Sequence, residues 1–284
     1  MQQFDDKRFS SSQAWLWIFL WTLLISGSSW MGWLYYLHIK ELRRHDPCYR
    51  IARLTQTCPQ SEALETTYLA QLLDLSWDRP RHLYQFDLQE AKQKLLASPL
   101  IKQATIKKVL PHTLSIAYQL RTPIAHLGDY TNTVMDQEGY LFPFAPFFTS
   151  SPLPTLYLGI KLDKKVWGMN LIEQEQIKLA FEVLKCATSL CAQHSFILKK
   201  IDVSQAFADS CGQRQIVLVH EEVQKLSSSP PKKTILRLSV EDYPQNLANY
   251  LALQRELEKR SSNFSSAIID LRIPHLAFIK ILNE

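Results

Sequence analysis

The side chains able to do chemistry are few in this chain, and their spacing assembles no familiar site. Ser229 and Lys232 fit Ser-x-x-Lys on paper. In that motif a lysine one helical turn away would deprotonate a serine nucleophile. Pro230 and Pro231 stand between them, and two prolines forbid that turn. The stretch Lys225–Lys233 therefore reads as a polar loop. Of the eight histidines, His112, His126 and His275 sit beside turn or proline positions and read as exposed. Cys48, Cys58, Cys186, Cys191 and Cys211 make an odd count with no zinc-ligand spacing. A strand over 49–55 would hold Cys48 and Cys58 about 30 Å apart, too far for a disulfide. Cys186 and Cys191 fall on different faces of a helix. All five read as small, partly buried packing residues. No H-E-x-x-H, G-x-S-x-G, G-x-G-x-x-G or Walker pattern occurs, and glycine numbers only 7. No catalytic residue, metal ligand or cofactor is assigned.

With no reaction to position, the elements themselves carry the reading. Ala14–Ile39 is 26 residues with no Asp, Glu, Lys or Arg. At about 1.5 Å per residue it spans roughly 39 Å, against a hydrocarbon core of about 30 Å. Trp15 and Trp17 flank one end, and Trp33, Tyr35 and Tyr36 the other, as interfacial belts. Ser26-Gly27-Ser28 could serve as a signal-peptide cleavage region. The apolar run continues past it to Ile39, which favours a retained transmembrane helix over 14–39 behind a short tail, 1–13. Lys7 and Arg8 precede the span, whereas Lys40, Arg43, Arg44, Arg50 and Arg53 follow it. The positive-inside rule taken alone puts the bulk of the chain in the cytoplasm, although long domains translocate largely regardless of flanking charge. The net charge of +5 is spread in pairs, not striped along one face, which argues against nucleic acid as a partner.

Beyond the anchor the pattern is α+β. Tyr49–Leu54 reads as a strand. Ser61–Leu73 reads as a helix with Leu64, Tyr68 and Leu72 as its stripe. Asp87 and Glu90 form a capping pair ahead of Leu88, Ala91 and Leu95. Leu100–Val109 reads as a strand. In "PHTLSIAYQLRTPIAHL" Leu114, Ile116, Tyr118 and Leu120 alternate with Ser115, Ala117, Gln119 and Arg121, a strand with one buried face that stops near Pro123. The order is β-α-α-β-β.

Such a unit directly after one apolar span resembles a POTRA domain. "VLPHTLSIAYQLRTPIAHL" followed by "VMDQEGYLF" resembles the division proteins of the FtsQ/DivIB family, through Pro111, Leu114, Ile116, Arg121, Pro123, Ala125, Asp136 and Gly139. Leu120 stands where that family usually carries an acid, a departure that bears on any ion pair of Arg121. The resemblance implies a POTRA domain over 40–128 and a β-rich domain over 129–284, with Phe142–Pro154 as the joint. In the second domain, Asn170 and Glu173 read as a cap, and Ile177, Phe181, Leu184, Thr188 and Cys191 as one helix face. Three β-like runs follow (Phe196–Ser204, Arg214–Glu221 and Thr234–Glu241). Next comes a helix carrying Pro244, Leu247, Leu251, Gln254 and Leu257, and then two short strands broken at Pro274.

The resemblance implies a non-enzymatic scaffold of the cytoplasmic membrane, bulk outside the cytoplasm, acting at the division septum. It implies recruitment of FtsB- and FtsL-like coiled-coil division proteins, and of other divisome membrane proteins, through the C-terminal strands. Ile269, Asp270, Leu271, Arg272 and Ile273 are the expected partner-binding residues. Ile269, Leu271 and Ile273 are expected to face the core, and Asp270 and Arg272 to face outward on a sheet edge. Two alternatives are a POTRA-bearing transport or assembly factor and a membrane-anchored envelope enzyme. The first usually continues into a long transmembrane β-barrel, which about 130 residues with two helices cannot supply.

Overall fold

The computed structural model describes residues 11–76, 78–149, 152–161, 166–194, 196–222, 232–259 and 266–282. Helix α1, Ser11–His45, runs through the whole apolar stretch. Its apolar side chains are exposed all round, with Leu16, Phe19, Leu23 and Ile25 each more than half exposed. Even so, by mean hydropathy no helix among the described residues is long and apolar enough to cross a membrane. Five tryptophans, two glycines and three serines within Ala14–Ile39 lower that mean. The expected transmembrane helix is thus present as a helix but falls short on composition.

A 3-10 turn, Pro47–Tyr49, follows, capped by Asp46, whose carboxylate accepts from the Cys48 N–H. The first strand, β1, is Arg53–Thr57, not Tyr49–Leu54 as the apolar spacing suggests. Helix α2 is Thr66–Leu72, shorter than expected, and Leu69 and Leu73 supply its buried face. Leu64 is buried ahead of the helix, while Tyr68 and Leu72 are only partly covered. Helix α3, Leu88–Leu96, starts as anticipated, the Asp87 carboxylate accepting from the Gln89 and Glu90 N–H groups. Strands β2 (Ile101–Val109) and β3 (Thr113–Leu120) form an antiparallel pair, and β1 joins β3 in parallel, giving the sheet order β1-β3-β2. Leu114, Ile116, Tyr118 and Leu120 are all buried, as period two requires.

The second sheet has nine strands in the order β12-β11-β10-β9-β8-β7-β4-β5-β6. Its members are β4 (Ala125–Leu127), β5 (Thr133–Met135), β6 (Leu141–Pro143), β7 (Thr155–Tyr157), β8 (Phe196–Asp202), β9 (Ile216–Glu222), β10 (Lys232–Leu238), β11 (Ser266–Asp270) and β12 (Phe278–Leu282). The chain therefore changes sheet at residues 121–124, ahead of β4. Helix α4, Glu175–His194, connects the parallel neighbours β7 and β8. Helix α5, Tyr243–Lys259, does the same for β10 and β11. These two crossovers cover one face of the sheet.

The buried face of α4 is Ile177, Ala180, Val183 and Ala187. Phe181 and Leu184 are half-buried, and Thr188 is exposed, bonding its own helix at the Leu184 carbonyl. The buried positions Ala180, Val183 and Ala187 each stand one residue before the expected Phe181, Leu184 and Thr188. Asn170 does not cap α4, because its side chain accepts from the Ile172 N–H in a turn before it.

Phe142–Pro154 is more than a joint. Val134 and Phe142 are buried in the core of the first sheet, with Phe144, Phe147 and Phe148 packed around them. The two sheets share that aromatic wedge.

Candidate interaction surface

Of the family-motif residues, Arg121, Asp136 and Gly139 meet at one polar centre between the sheets. Arg121, just past β3, places Nη1 2.7 Å from Asp136 Oδ2 and 3.2 Å from Glu138 Oε2. Its guanidinium lies 3.7 Å from the centre of the Tyr140 ring. The other Asp136 oxygen accepts from the Glu138 and Tyr140 N–H groups at 3.0 and 2.9 Å, closing the turn between β5 and β6. Lys102 on β2 reaches Glu138 at 2.6 Å, and with Arg121 it holds the Glu138 carboxyl below its ordinary range. With Leu120 in place of an acid, Arg121 takes its partner from the hairpin 15 residues on. Gly139 has φ +78° at the tip of that turn, and a Cβ there would stand 2.9 Å from the Ile172 nitrogen. Pro111 lies between β2 and β3, and Pro123 between β3 and β4.

At the other end of the molecule the C-terminal residues divide. Ile269 and Leu271 are buried, as expected, whereas Ile273 is 51% exposed, past the end of β11, and does not face the core. Asp270 and Arg272 do lie toward the surface but are spent on each other. Arg272 Nη2 donates to Asp270 Oδ2 at 2.8 Å, and Nη1 donates to the Gly212 carbonyl at 3.0 Å. Burial pushes the Asp270 carboxyl up, but the Arg272 hydrogen bonds outweigh it and hold it below its ordinary value. A cleft of about 560 Å³ opens beside this pair, reaching Cys211, Arg214 and Phe278.

Residues 269–273 are not the sheet edge. Strand β11 is paired on both sides, with β10 and with β12. At this end of the sheet the edge is β12, whose other side has no strand among the described residues. Ile279 and Ile281 stand opposite Ile269 and Ala267, so they share the core-facing side of the sheet. They are nevertheless 39% and 53% exposed, and Phe278 is 57% exposed. Sequence reasoning found both strands but not which was outermost.

Of the residues weighed for chemistry, Ser229 lies outside the described residues. His275 is exposed, but His112 and His126 are half-buried, His126 by β4 and the Phe144 ring at 4.8 Å. Burial lowers the His126 pKa. All five cysteines are free, and Cys48 and Cys211 are exposed rather than packed. The membrane-belt residues Trp15, Trp17, Trp33, Tyr35 and Tyr36 are all exposed on α1.

A three-stranded sheet under two helices, in the order β-α-α-β-β, defines a POTRA domain. Residues 64–118 match the family model described as POTRA domain, FtsQ-type. The chain carries a POTRA domain of that type, in agreement with the resemblance to FtsQ/DivIB read from its motifs. The FtsQ-type domain points to a division-related family. No curated protein matches the chain.

Proposed function

We propose that this protein is a single-pass, membrane-anchored division scaffold that recruits a partner by strand addition at β12. The supporting observation is that edge: five residues long, outermost in the sheet and carrying Ile279 and Ile281 on its apolar side at 39% and 53% exposure. An added strand gains main-chain hydrogen bonds, and side chains beyond it can cover Ile279 and Ile281. FtsB- and FtsL-like coiled-coil proteins are the partners that the domain type suggests, alongside other divisome membrane proteins. The mechanism is docking, with no bond made or broken.

The anchor reading rests on α1. From Trp15 and Trp17 to Trp33, Tyr35 and Tyr36 the helix covers roughly 28 Å at about 1.5 Å per residue, close to one hydrocarbon thickness. The hydroxyls of Thr22, Ser26 and Ser28 donate to carbonyls three residues back, so these polar groups are satisfied within the helix. The stretch 14–39 of this helix is apolar around its circumference and highly exposed among the described residues, which favours a lipid environment. The N-terminus is cytoplasmic in this reading, with the domains outside.

The experiment is co-purification of the Ile279→Lys/Ile281→Lys variant with the cell's own small coiled-coil division proteins, alongside a melting curve. Loss of the partners with an unchanged melt supports the reading. Full retention of the partners by a charged edge overturns it.

A further inference from the structure

The fold gathers Arg50 and Arg53, which follow α1, with Arg79 and Arg81. The His82 Nε2 lies 3.1 Å from the Asp46 carbonyl, tying the end of α1 to the segment before α3. The Ile51 N–H donates to the Arg81 carbonyl and the Leu83 N–H to that of Tyr49, both at 2.9 Å. Segments 49–51 and 81–83 therefore run side by side. Arg50, Arg53 and Arg81 rim a groove of about 410 Å³ floored by Ile51, Leu54 and Leu75. Arg79 joins Arg50 and Arg81 around the adjoining cleft.

The acids nearby are already engaged. Lys94 reaches Asp74 at 2.6 Å and Glu90 at 2.7 Å, and Asp87 caps α3. Arg81 stands 3.8 Å from Asp74. Among the described residues, Arg50, Arg53 and Arg79 make no ion pair. A basic rim in which Arg50 and Arg53 make no ion pair among the described residues, over an apolar floor and within a few residues of an apolar helix, is amphipathic in the sense of a phospholipid.

We propose that this groove binds an anionic phospholipid at the membrane surface. The arginines hold the phosphodiester, and the floor takes the glycerol and the first chain methylenes. The proposal rests on the anchor reading above, which sets the groove at headgroup depth. It also gives a role to Arg50 and Arg53, two of the five basic residues that follow Ile39.

The test uses the full-length chain in phosphatidylcholine vesicles doped with spin-labelled phosphatidylglycerol or spin-labelled phosphatidylcholine. The fraction of each label immobilised by the protein is read by electron spin resonance. Phosphatidylglycerol should be immobilised a few-fold more than phosphatidylcholine. The preference should fall toward parity in the Arg50→Gln/Arg53→Gln/Arg79→Gln variant, and in the wild type at high salt, where charge attraction is screened. Equal immobilisation of the two lipids by the wild type overturns the proposal, as does a preference that the triple substitution leaves intact. No immobilised component with either lipid means that the chain does not enter the bilayer, which overturns the anchor itself.

Discussion

Arg121 and Asp136 join the two sheets through a contact of 2.7 Å, with their side chains only 11% and 6% exposed. One comes from the end of β3 and the other from the turn between β5 and β6, so the pair fixes the POTRA sheet against the second sheet. Removing one partner leaves the other charged and shielded from water, a loss of about 3–5 kcal/mol. Asp136→Ala should therefore lower the denaturation midpoint of the chain strongly. Glu138→Ala removes the exposed member of the same cluster and should leave the midpoint nearly unchanged. Chemical denaturation of both variants checks the contrast.

Gly139 should tolerate no side chain. Its φ of +78° disfavours any L-residue, and its Cβ would meet the Ile172 backbone at 2.9 Å. Gly168 also has positive φ, at +88°, but faces open space. Gly139→Ala should cost about 2–3 kcal/mol and Gly168→Ala about 1 kcal/mol, since the second suffers backbone strain alone. Melting curves of the two variants measure the difference.

Leu271 and Ile273 are two residues apart but lie in different environments, 5% and 51% exposed. Leu271→Asp buries an unpaired carboxylate and should cost several kcal/mol. Ile273→Asp should shift stability by under about 0.5 kcal/mol. If both variants melt alike, the placement of the β11 end in the core is wrong.

His220 on β9 should make the second sheet acid-sensitive. It is buried, Tyr250 Oη lies 2.9 Å from its Nε2, and Nδ1 has no partner. Burial, helped by Lys232, pushes its pKa down to about 4. The unfolded chain binds the proton near pH 6.5, so between those values it holds more protons than the native state. Stability is then full above about pH 6.5 and declines as pH falls toward 4, by about 3 kcal/mol in all. The slope of melting temperature against pH across that window should flatten in His220→Gln. An equal slope in the variant would place the titration elsewhere.

What the residues disclosed on their own is local. Alternation of period two located β3 and its buried residues, because a pleat puts every second side chain on one face whatever surrounds it. Asp87 announced the start of α3 because a cap bonds only to its own first turn. The order β-α-α-β-β and the motif residues from Pro111 to Gly139 pointed to the POTRA domain in the same way. On α4 the expected Ile177 is buried, but Ala180, Val183 and Ala187 complete the buried face in place of their neighbours Phe181, Leu184 and Thr188. Alanine packs closely between elements yet carries little apolar signal.

Tertiary structure decided which strand is the edge, which charge meets which, and where surplus charge collects. Residues 269–273 and 278–282 both read as short strands. Only the pairing of β11 with β10 and β12 makes the second one the outermost. Arg121 could be matched to Asp136 only after the sheets met, because a salt bridge depends on distance in space and the two are 15 residues apart. Arg50 and Arg53 join Arg79 and Arg81 for the same reason: hydrogen bonds between segments 49–51 and 81–83 bring together residues about 30 positions apart. Periodicity along a chain reports what each residue faces; it carries no term for which other segment will lie there.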